Sequence, residues 1–152
     1  MNSNIPTQRI SAKNQVTLPR SARGLMGADQ DGLVCGLQQQ MRDPEGEGVF
    51  PVVLLMTEDE LHRTEQKILE NDQLDPLKKQ NLIMKLNGKV HRMSVDGQNR
   101  IVLPGHFVDY LHLERDVFMF STNNGVAVWN PSDWTRYNSS QDDDELGAYL
   151  LT

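Results

Sequence analysis

The sequence predicts an α+β protein, mainly β, that is built from two copies of one structural unit. The first observation is a repeat, because AKNQVTLPRSAR at residues 12–23 resembles GQNRIVLPGHFV at residues 97–108. The second is that each copy combines an alternating strand, a polar turn and a β-branched strand, which is the pattern of a β-hairpin. The third is a pair of helix signals between the copies. A chain of 152 residues can bury one good core or pack two half-sized units together.

Each copy is predicted to continue from its hairpin into a short helix and two further strands. Pro19 and Pro104 follow the second hairpin strands, where proline cannot donate to a sheet but suits the first turn of a helix. We therefore expect short helices at about 20–26 and 105–112. The polar connection 38–48 in the first copy is expected to be a mobile loop. The remaining strands are predicted at 33–35, 50–56, 117–120 and 126–129.

Two helices are predicted to link the copies. Thr57 and Glu60 form a capping box for a helix that runs to about residue 70. Asp75 and Pro76 begin a second helix, which Asn87 and Gly88 are expected to end. After the second copy, a short helix precedes an acidic tail that is expected to be disordered. The predicted organisation is a first half at 7–56, a helical linker at 57–88, a second half at 89–137 and the tail at 138–152.

Basic residues concentrate around the repeated hairpins, although the formal net charge of the chain is −6. Residues 9–23 and 78–100 together hold ten basic residues and one acidic residue, a net charge of +9, which leaves −15 for the rest. A single charge run is usually a solvated face. Two runs on matching parts of a repeat favour a polyanionic partner such as nucleic acid.

Several classes of function lack their sequence signals. We find no glycine-rich nucleotide loop, nucleophile elbow or metalloprotease pair, so we expect no enzyme, no cofactor and no small-molecule substrate. The four histidines show no zinc-ligand spacing, and we expect no metal. Cys35 is the only cysteine, which excludes an intrachain disulfide and favours the cytoplasm. No apolar run is long enough for a membrane span, and residues 1–8 lack a secretory signal pattern.

The residues in and beside the two hairpin turns are the candidates for DNA contacts. A twisted antiparallel ribbon can enter the major groove, where Arg, Lys, Asn and Gln read base edges or hold phosphates. Asp96 is better explained as a turn-orienting residue, because its carboxylate can accept hydrogen bonds from backbone N–H groups. For Asn14 and Asn99, tolerance of a left-handed backbone is an equally good interpretation. The candidates are Arg9, Lys13, Asn14 and Gln15 in the first copy, and Arg92, Gln98, Asn99 and Arg100 in the second.

The second copy resembles a known signature in the stretch DGQNRIVLP at residues 96–104. This is similar to the Asp-x-x-x-Arg motif and following strand of the MraZ family, whose halves are AbrB-like swapped-hairpin units. The resemblance extends from about Arg9 to Tyr137, and it includes the linker helices. It implies one duplicated swapped-hairpin barrel with pseudo-two-fold symmetry. It also implies a cytoplasmic, nucleoid-associated regulator of transcription that binds double-stranded DNA as a homo-oligomer, expected to be a ring, on repeated promoter sites near cell-division and cell-wall genes.

The first copy departs from that signature. Ser11 stands where the family has Asp, and Gln15 stands where it has Arg, while Lys13 keeps a charge in the turn. Arg23 matches a basic helix position of AbrB-like proteins, whereas Val108 occupies that position in the second copy. We therefore expect DNA contacts to be divided between the halves and binding to be weaker or differently specific. The alternative is an AbrB-like protein-interaction or antitoxin-type module with weakened DNA binding.

Overall fold

The computed structural model describes residues 6–23, 32–43, 46–139 and 143–150. Within these ranges the chain forms eight strands and six helices. The first half contains β1 (Gln8–Arg9), β2 (Gln15–Thr17), α1 (Arg20–Arg23), β3 (Leu33–Arg42) and β4 (Val49–Met56). The linker consists of α2 (Glu58–Leu69) and α3 (Pro76–Lys89). The second half contains β5 (His91–Ser94), β6 (Arg100–Val102), α4 (Gly105–Leu111), β7 (Asp116–Thr122) and β8 (Gly125–Trp129), and it is followed by α5 (Pro131–Ser139) and α6 (Asp143–Leu150).

The strands form a six-stranded antiparallel sheet, in the order β1-β7-β8-β4-β3-β5, and a separate two-stranded ribbon of β2 and β6. The sheet curls into a half-barrel. Reversing the strand order and exchanging each strand for its counterpart in the other half reproduces the same order, which is the signature of pseudo-two-fold symmetry. β1 pairs with β7, and β5 pairs with β3, so each hairpin contributes its first strand to the other half's end of the sheet. The predicted α+β fold with swapped hairpins is confirmed.

The central core lies between the ribbon and the sheet, and both halves contribute equivalent residues to it. Val16 and Ile101 point inward from the ribbon and are 2% and 1% exposed. Leu18 and Leu103, the leucines of the two Leu-Pro pairs, are 1% and 0% exposed. Full burial of such a side chain stabilises the folded state by about 1.5–3 kcal/mol. Sheet residues from both halves complete this core, among them Val34, Val53, Leu55, Val117, Met119 and Val128.

The opposite face of the sheet is covered by helices. Trp134 and Tyr137 of α5 pack on Phe50, Phe118 and Trp129, which makes a predominantly aromatic cluster. A smaller cluster is covered by the linker helices and consists of Cys35, Leu37, Met56 and Leu61, with Leu86 and Val90 packed against it. Strands β4 and β8, whose sequences are nearly continuously apolar, therefore bury both faces.

Both predicted linker-helix starts are confirmed. The Thr57 Oγ1 accepts a hydrogen bond from the Glu60 N–H at 3.1 Å. The Asp75 carboxylate accepts one from the Lys78 N–H at 2.7 Å, and Pro76 occupies the first turn. The predicted end of the second helix is wrong, because α3 continues through Gly88 to Lys89. Within the described ranges no helix combines the length and the apolar character that crossing a bilayer requires.

Two segments expected to lack regular structure contain it. The connection 38–48 was predicted to be a loop, but β3 extends to Arg42 and pairs with a β4 that begins at Val49. Its polar side chains are compatible with a strand because the outer part of a hairpin can face water. In the acidic tail, α6 covers Asp143–Leu150. Of the helix predicted at 20–26, residues 24–26 lie outside the described residues.

Replacing Gly125 with alanine should lower the free energy of unfolding by about 3 kcal/mol, because overpacking forces a well-packed region to shift. Gly125 begins β8, and a Cβ added there would lie 2.0 Å from the Leu55 carbonyl oxygen in β4. Urea unfolding of Gly125→Ala measures the loss. Gly88→Ala is the matched control, since a Cβ at Gly88 meets nothing within 4 Å and should stabilise α3 by up to about 1 kcal/mol. Equal stability of the two variants would contradict the prediction.

Candidate nucleic-acid interface

The two hairpin turns lie at opposite ends of the β2–β6 ribbon. Gln15 pairs with Val102, Val16 with Ile101, and Thr17 with Arg100 in an antiparallel register. The Leu103 N–H donates to the Asn14 carbonyl, and the Leu18 N–H donates to the Asn99 carbonyl, both at 2.8 Å. These bonds lengthen the ladder by one residue at each end. The four residue steps from Asn14 to Leu18, at about 3.4 Å each, place the two turns about 14 Å apart along the ribbon.

Each turn is organised by one side-chain acceptor at the same position of the repeat. The Asp96 Oδ1 accepts hydrogen bonds from the Gln98 and Arg100 N–H groups at 2.8 and 2.9 Å. The Ser11 Oγ accepts from the Lys13 and Gln15 N–H groups at 3.2 and 3.1 Å. Serine therefore preserves the turn in the first copy, although it does not carry the negative charge of the aspartate.

Asn14 and Asn99 adopt the left-handed backbone, with φ values of 62° and 60°. Asparagine tolerates this region better than most residues because its short polar side chain can hydrogen-bond locally. The conformation directs the Asn14 and Asn99 carbonyls toward the N–H groups of Leu103 and Leu18. The geometry thus supports the conformational role of these asparagines, while a DNA contact by their side chains stays a prediction.

Arg100 is held by the turn that precedes it. Its Nε donates to the Asp96 Oδ2 at 2.8 Å, and 38% of its side chain is exposed. The backbone N–H of Arg100, then its guanidinium and the Gln98 N–H, hold the pKa of the Asp96 carboxyl below its usual range. Within the described part of the chain, the two terminal nitrogens of Arg100 have no hydrogen-bond partner. The arginine is therefore oriented through its Nε while its two terminal nitrogens remain available for a bidentate contact.

The outward face of the ribbon carries two residues that the sequence-based prediction missed. Because strand residues alternate between faces, burial of Val16 and Ile101 turns Gln15, Thr17, Arg100 and Val102 outward. Thr17 is partly exposed, and Val102 is 53% exposed. Both read as ordinary β-branched strand residues in the sequence. The alternation of inward and outward side chains on either side of Val16 and Ile101 was the sequence signal that could have identified Thr17 and Val102.

The remaining predicted contacts are distributed over several elements. Lys13 and Gln98 are exposed at the tips of the two turns. Arg9 is exposed on β1, but its partner in the ladder is Asp116, which carries the opposite charge. Arg23 is the last residue of α1, and its side chain lies outside what the structure describes.

Arg92 lies apart from the turn residues and takes part in a network with α2. Its guanidinium forms a two-point ion pair with the Glu58 carboxylate, in which Nη2 to Oε2 is 3.2 Å and Nε to Oε1 is the second contact. The guanidinium holds the pKa of Glu58 below its usual range. Burial and the nearby Glu58 carboxylate raise the pKa of the Cys35 thiol to about 11, so this thiol stays protonated. The network ties β5 to α2 and β3.

The basic stretch at 78–100 is only partly represented at the ribbon. Its four lysines, at 78, 79, 85 and 89, lie on α3, a helix whose main contacts are with α2 and β3. The Lys79 Nζ donates to the Leu69 carbonyl at 2.8 Å and so satisfies the C-terminus of α2. The positive charge that the ribbon and its turns present comes from Lys13 and Arg100.

The family model and several relatives that match this chain carry the name MraZ. A family model described as "MraZ protein, putative antitoxin-like" matches residues 88–147. The chain is similar to proteins named "Transcriptional regulator MraZ" from Hydrogenovibrio crunogenus, at 24% identity over 82% of this chain and 76% of the relative, and from Bifidobacterium longum, at 26% over 90% and 82%. The protein of the same name from Salinispora arenicola is 35% identical over 49 residues, which are 32% of this chain and 34% of the relative.

Asn99→Ala should destabilise the protein by about 1–2 kcal/mol, whereas Asn99→Gly should cost much less. Only the alanine places a Cβ in an unfavourable left-handed conformation. Urea unfolding of the two variants measures the difference, and the glycine variant controls for loss of the amide side chain. An equal loss in both would assign the effect to the side chain and contradict the backbone role.

Arg100→Gln should raise the pKa of Asp96 only part of the way to its usual range, because the backbone N–H donors of Gln98 and Arg100 remain. A lowered folded pKa adds stability above the usual Asp range, and this is lost as pH falls through the lowered value. An NMR titration of the Asp96 carboxyl measures the change. Arg63→Gln, on α2, is the control and should leave the Asp96 pKa unchanged. A full return to the ordinary value would mean that the guanidinium dominates.

Proposed function

We propose that the chain is a transcriptional regulator of the MraZ family and that it binds double-stranded DNA through the β2–β6 ribbon. The observation that carries this proposal is the ribbon itself, in which strands from both copies present an outward face with Arg100 oriented by Asp96. A two-stranded ribbon fits the DNA major groove, which is about 12 Å wide. Regulation of transcription then follows from occupancy of promoter DNA.

Arg100 is the proposed base-reading residue of the second half. A guanidinium that donates two parallel hydrogen bonds to guanine O6 and N7 makes the commonest specific contact in the major groove. The Asp96 hydrogen bond holds the side chain in one orientation before DNA arrives, which lowers the entropy cost of binding. Lys13 and Gln98 at the turn tips supply contacts to phosphates.

The first half is proposed to contribute weaker contacts. Ser11 provides no carboxylate to orient an arginine, and Gln15 occupies the position equivalent to Arg100. One ribbon therefore carries one charged base-contact residue, Arg100, rather than two. We expect the affinity of a single chain to be low, and useful affinity to require several ribbons on one DNA molecule.

We propose that the chain acts as a homo-oligomer, with a ring as the expected form, on repeated promoter sites near cell-division and cell-wall genes. Linked binding units raise the effective concentration of each unit at its site, so weak contacts combine. The linker helices offer apolar side chains for such an assembly, since Leu69, Leu77 and Met84 are 47%, 67% and 64% exposed. Because its proposed partner is promoter DNA, we expect the protein to be cytoplasmic and associated with the nucleoid.

The second candidate function is an antitoxin-type module that binds another protein. The description of the matching family model favours it, as does the apolar surface of α3 around Leu77 and Met84. This candidate requires a co-purifying partner that Leu77→Glu releases while Arg100→Ala leaves it bound. Homo-oligomerisation instead requires Leu77→Glu to lower the mass of the assembly of this chain alone.

Arg100→Ala should weaken binding to DNA from upstream of the protein's own operon by about 1–3 kcal/mol, because one bidentate base contact is lost. Fluorescence anisotropy at low and physiological salt measures the affinity. Mass in solution should be unchanged. Arg63→Ala removes an equally charged, exposed side chain from α2 and should leave the affinity unchanged. Unchanged affinity of Arg100→Ala would rule out this arginine as a reader, and absence of wild-type binding at low salt would refute the DNA-binding proposal.

A further inference from the structure

The outward face of the ribbon is chemically different at its two ends. The repeat offset makes Gln15 equivalent to Arg100 and Thr17 equivalent to Val102. In the register, Arg100 lies opposite Thr17, and Gln15 lies opposite Val102. One end therefore pairs a charged donor with a hydroxyl, and the other pairs a neutral amide with an apolar group. Pseudo-two-fold symmetry holds for the backbone but not for this face.

We propose that Gln15 and Val102 form a base-contact subsite for an adenine–thymine pair, separate from the guanine contact of Arg100. This inference rests on the DNA-binding function proposed above. A glutamine amide can donate to adenine N7 and accept from adenine N6–H₂, and an apolar side chain can contact the thymine methyl group. Residues directly opposite each other have Cβ atoms about 5 Å apart, so both side chains can reach one base pair or its neighbour.

The side chains of the first-half turn are consistent with an uncharged base-contact residue at position 15. An arginine at the reading position is oriented by a carboxylate, as Asp96 orients Arg100. The neutral Gln15 needs no charged partner, and the Ser11 hydroxyl still caps the Gln15 N–H at 3.1 Å. The serine and the glutamine thus form a neutral counterpart of the Asp96–Arg100 pair. Compared with Asp96 and Arg100, Ser11 and Gln15 together replace a charged base-contact residue and its carboxylate partner by an amide and a hydroxyl.

The exposure of Val102 supports the same subsite. It is 53% exposed at one end of the outward face, where its neighbours Gln15 and Arg100 are polar. Its equivalent in the other half, Thr17, has nearly the same shape but carries a hydroxyl in place of a methyl group. Thymine is the base that offers a methyl group in the major groove. The two subsites lie two strand residues apart, about 7 Å along the ribbon, which corresponds to about two base-pair steps.

The first experiment is selection of bound sequences from a random duplex library, using the full-length chain. The wild-type chain should select a G·C pair and an A·T pair about two or three positions apart. The variant Ser11→Asp/Gln15→Arg recreates the second-half signature in the first half, and it should select G·C at both positions. Thermal unfolding verifies that both proteins are folded. A wild-type motif with no A·T preference, or a motif unchanged in the double variant, would overturn the subsite.

The second experiment isolates the methyl contact of Val102. Replacing the selected thymine by deoxyuridine removes only its methyl group, and it should weaken wild-type binding about fourfold, the equivalent of one buried methyl group. Val102→Thr keeps the side-chain shape and should bind the two DNAs equally. Val49→Thr is the matched control, because Val49 is 42% exposed on β4, and it should keep the wild-type discrimination. Equal discrimination by Val102→Thr and the wild type would overturn the role of Val102.

Failure of this inference is distinguishable from failure of the proposed function. A wild-type motif that keeps the Arg100-dependent guanine but shows no preference at the second position refutes only the Gln15–Val102 subsite. A folded wild-type chain that selects no sequence at all refutes DNA recognition by the ribbon, and the subsite with it.

Discussion

The fold depends on an exchange of backbone hydrogen bonds between its two halves at the Leu-Pro pairs. The Leu18 N–H donates to the Asn99 carbonyl, and the Leu103 N–H donates to the Asn14 carbonyl. Each bond requires a left-handed asparagine in one half and a fully buried leucine in the other. Turn, strand and core are therefore mutually dependent across the pseudo-two-fold axis. The motif occurs twice because each copy supplies what the other lacks.

This dependence constrains some positions and leaves others open to change. Inward residues must fill the core, and the turn must keep an acceptor for two N–H groups, a requirement that Ser11 and Asp96 meet equally. Outward residues such as Gln15 and Val102 do not contribute to the central core. One half can therefore acquire different surface chemistry while the barrel core stays intact. The presence of Ser11 and Gln15 in the first half, where the second half has Asp96 and Arg100, is an example of such a difference.

Local signals predicted much of this structure, whereas contacts between distant segments were beyond them. The repeat located β2 and β6, and side-chain caps located the starts of α2 and α3, because these depend on neighbours in sequence. The hairpin swap came only from the family resemblance. The Arg92–Glu58 ion pair spans 34 residues and redirects a predicted DNA contact toward α2. Polar β3 residues were mistaken for a loop because strand pairing, rather than hydrophobicity, stabilises them.

A net charge of −6 is compatible with the proposed DNA contact because electrostatic interactions in salt are short-ranged. At physiological ionic strength the Debye length is about 8 Å, so acidic residues elsewhere on the chain act weakly on a phosphate beside Lys13. Their repulsion mainly lowers non-specific affinity, which depends on total charge. An Asp96-oriented Arg100 then gains specificity from geometry rather than from bulk charge. The proposed function, selection of repeated sites through several ribbons, is therefore compatible with an acidic chain that carries few basic base-contact residues.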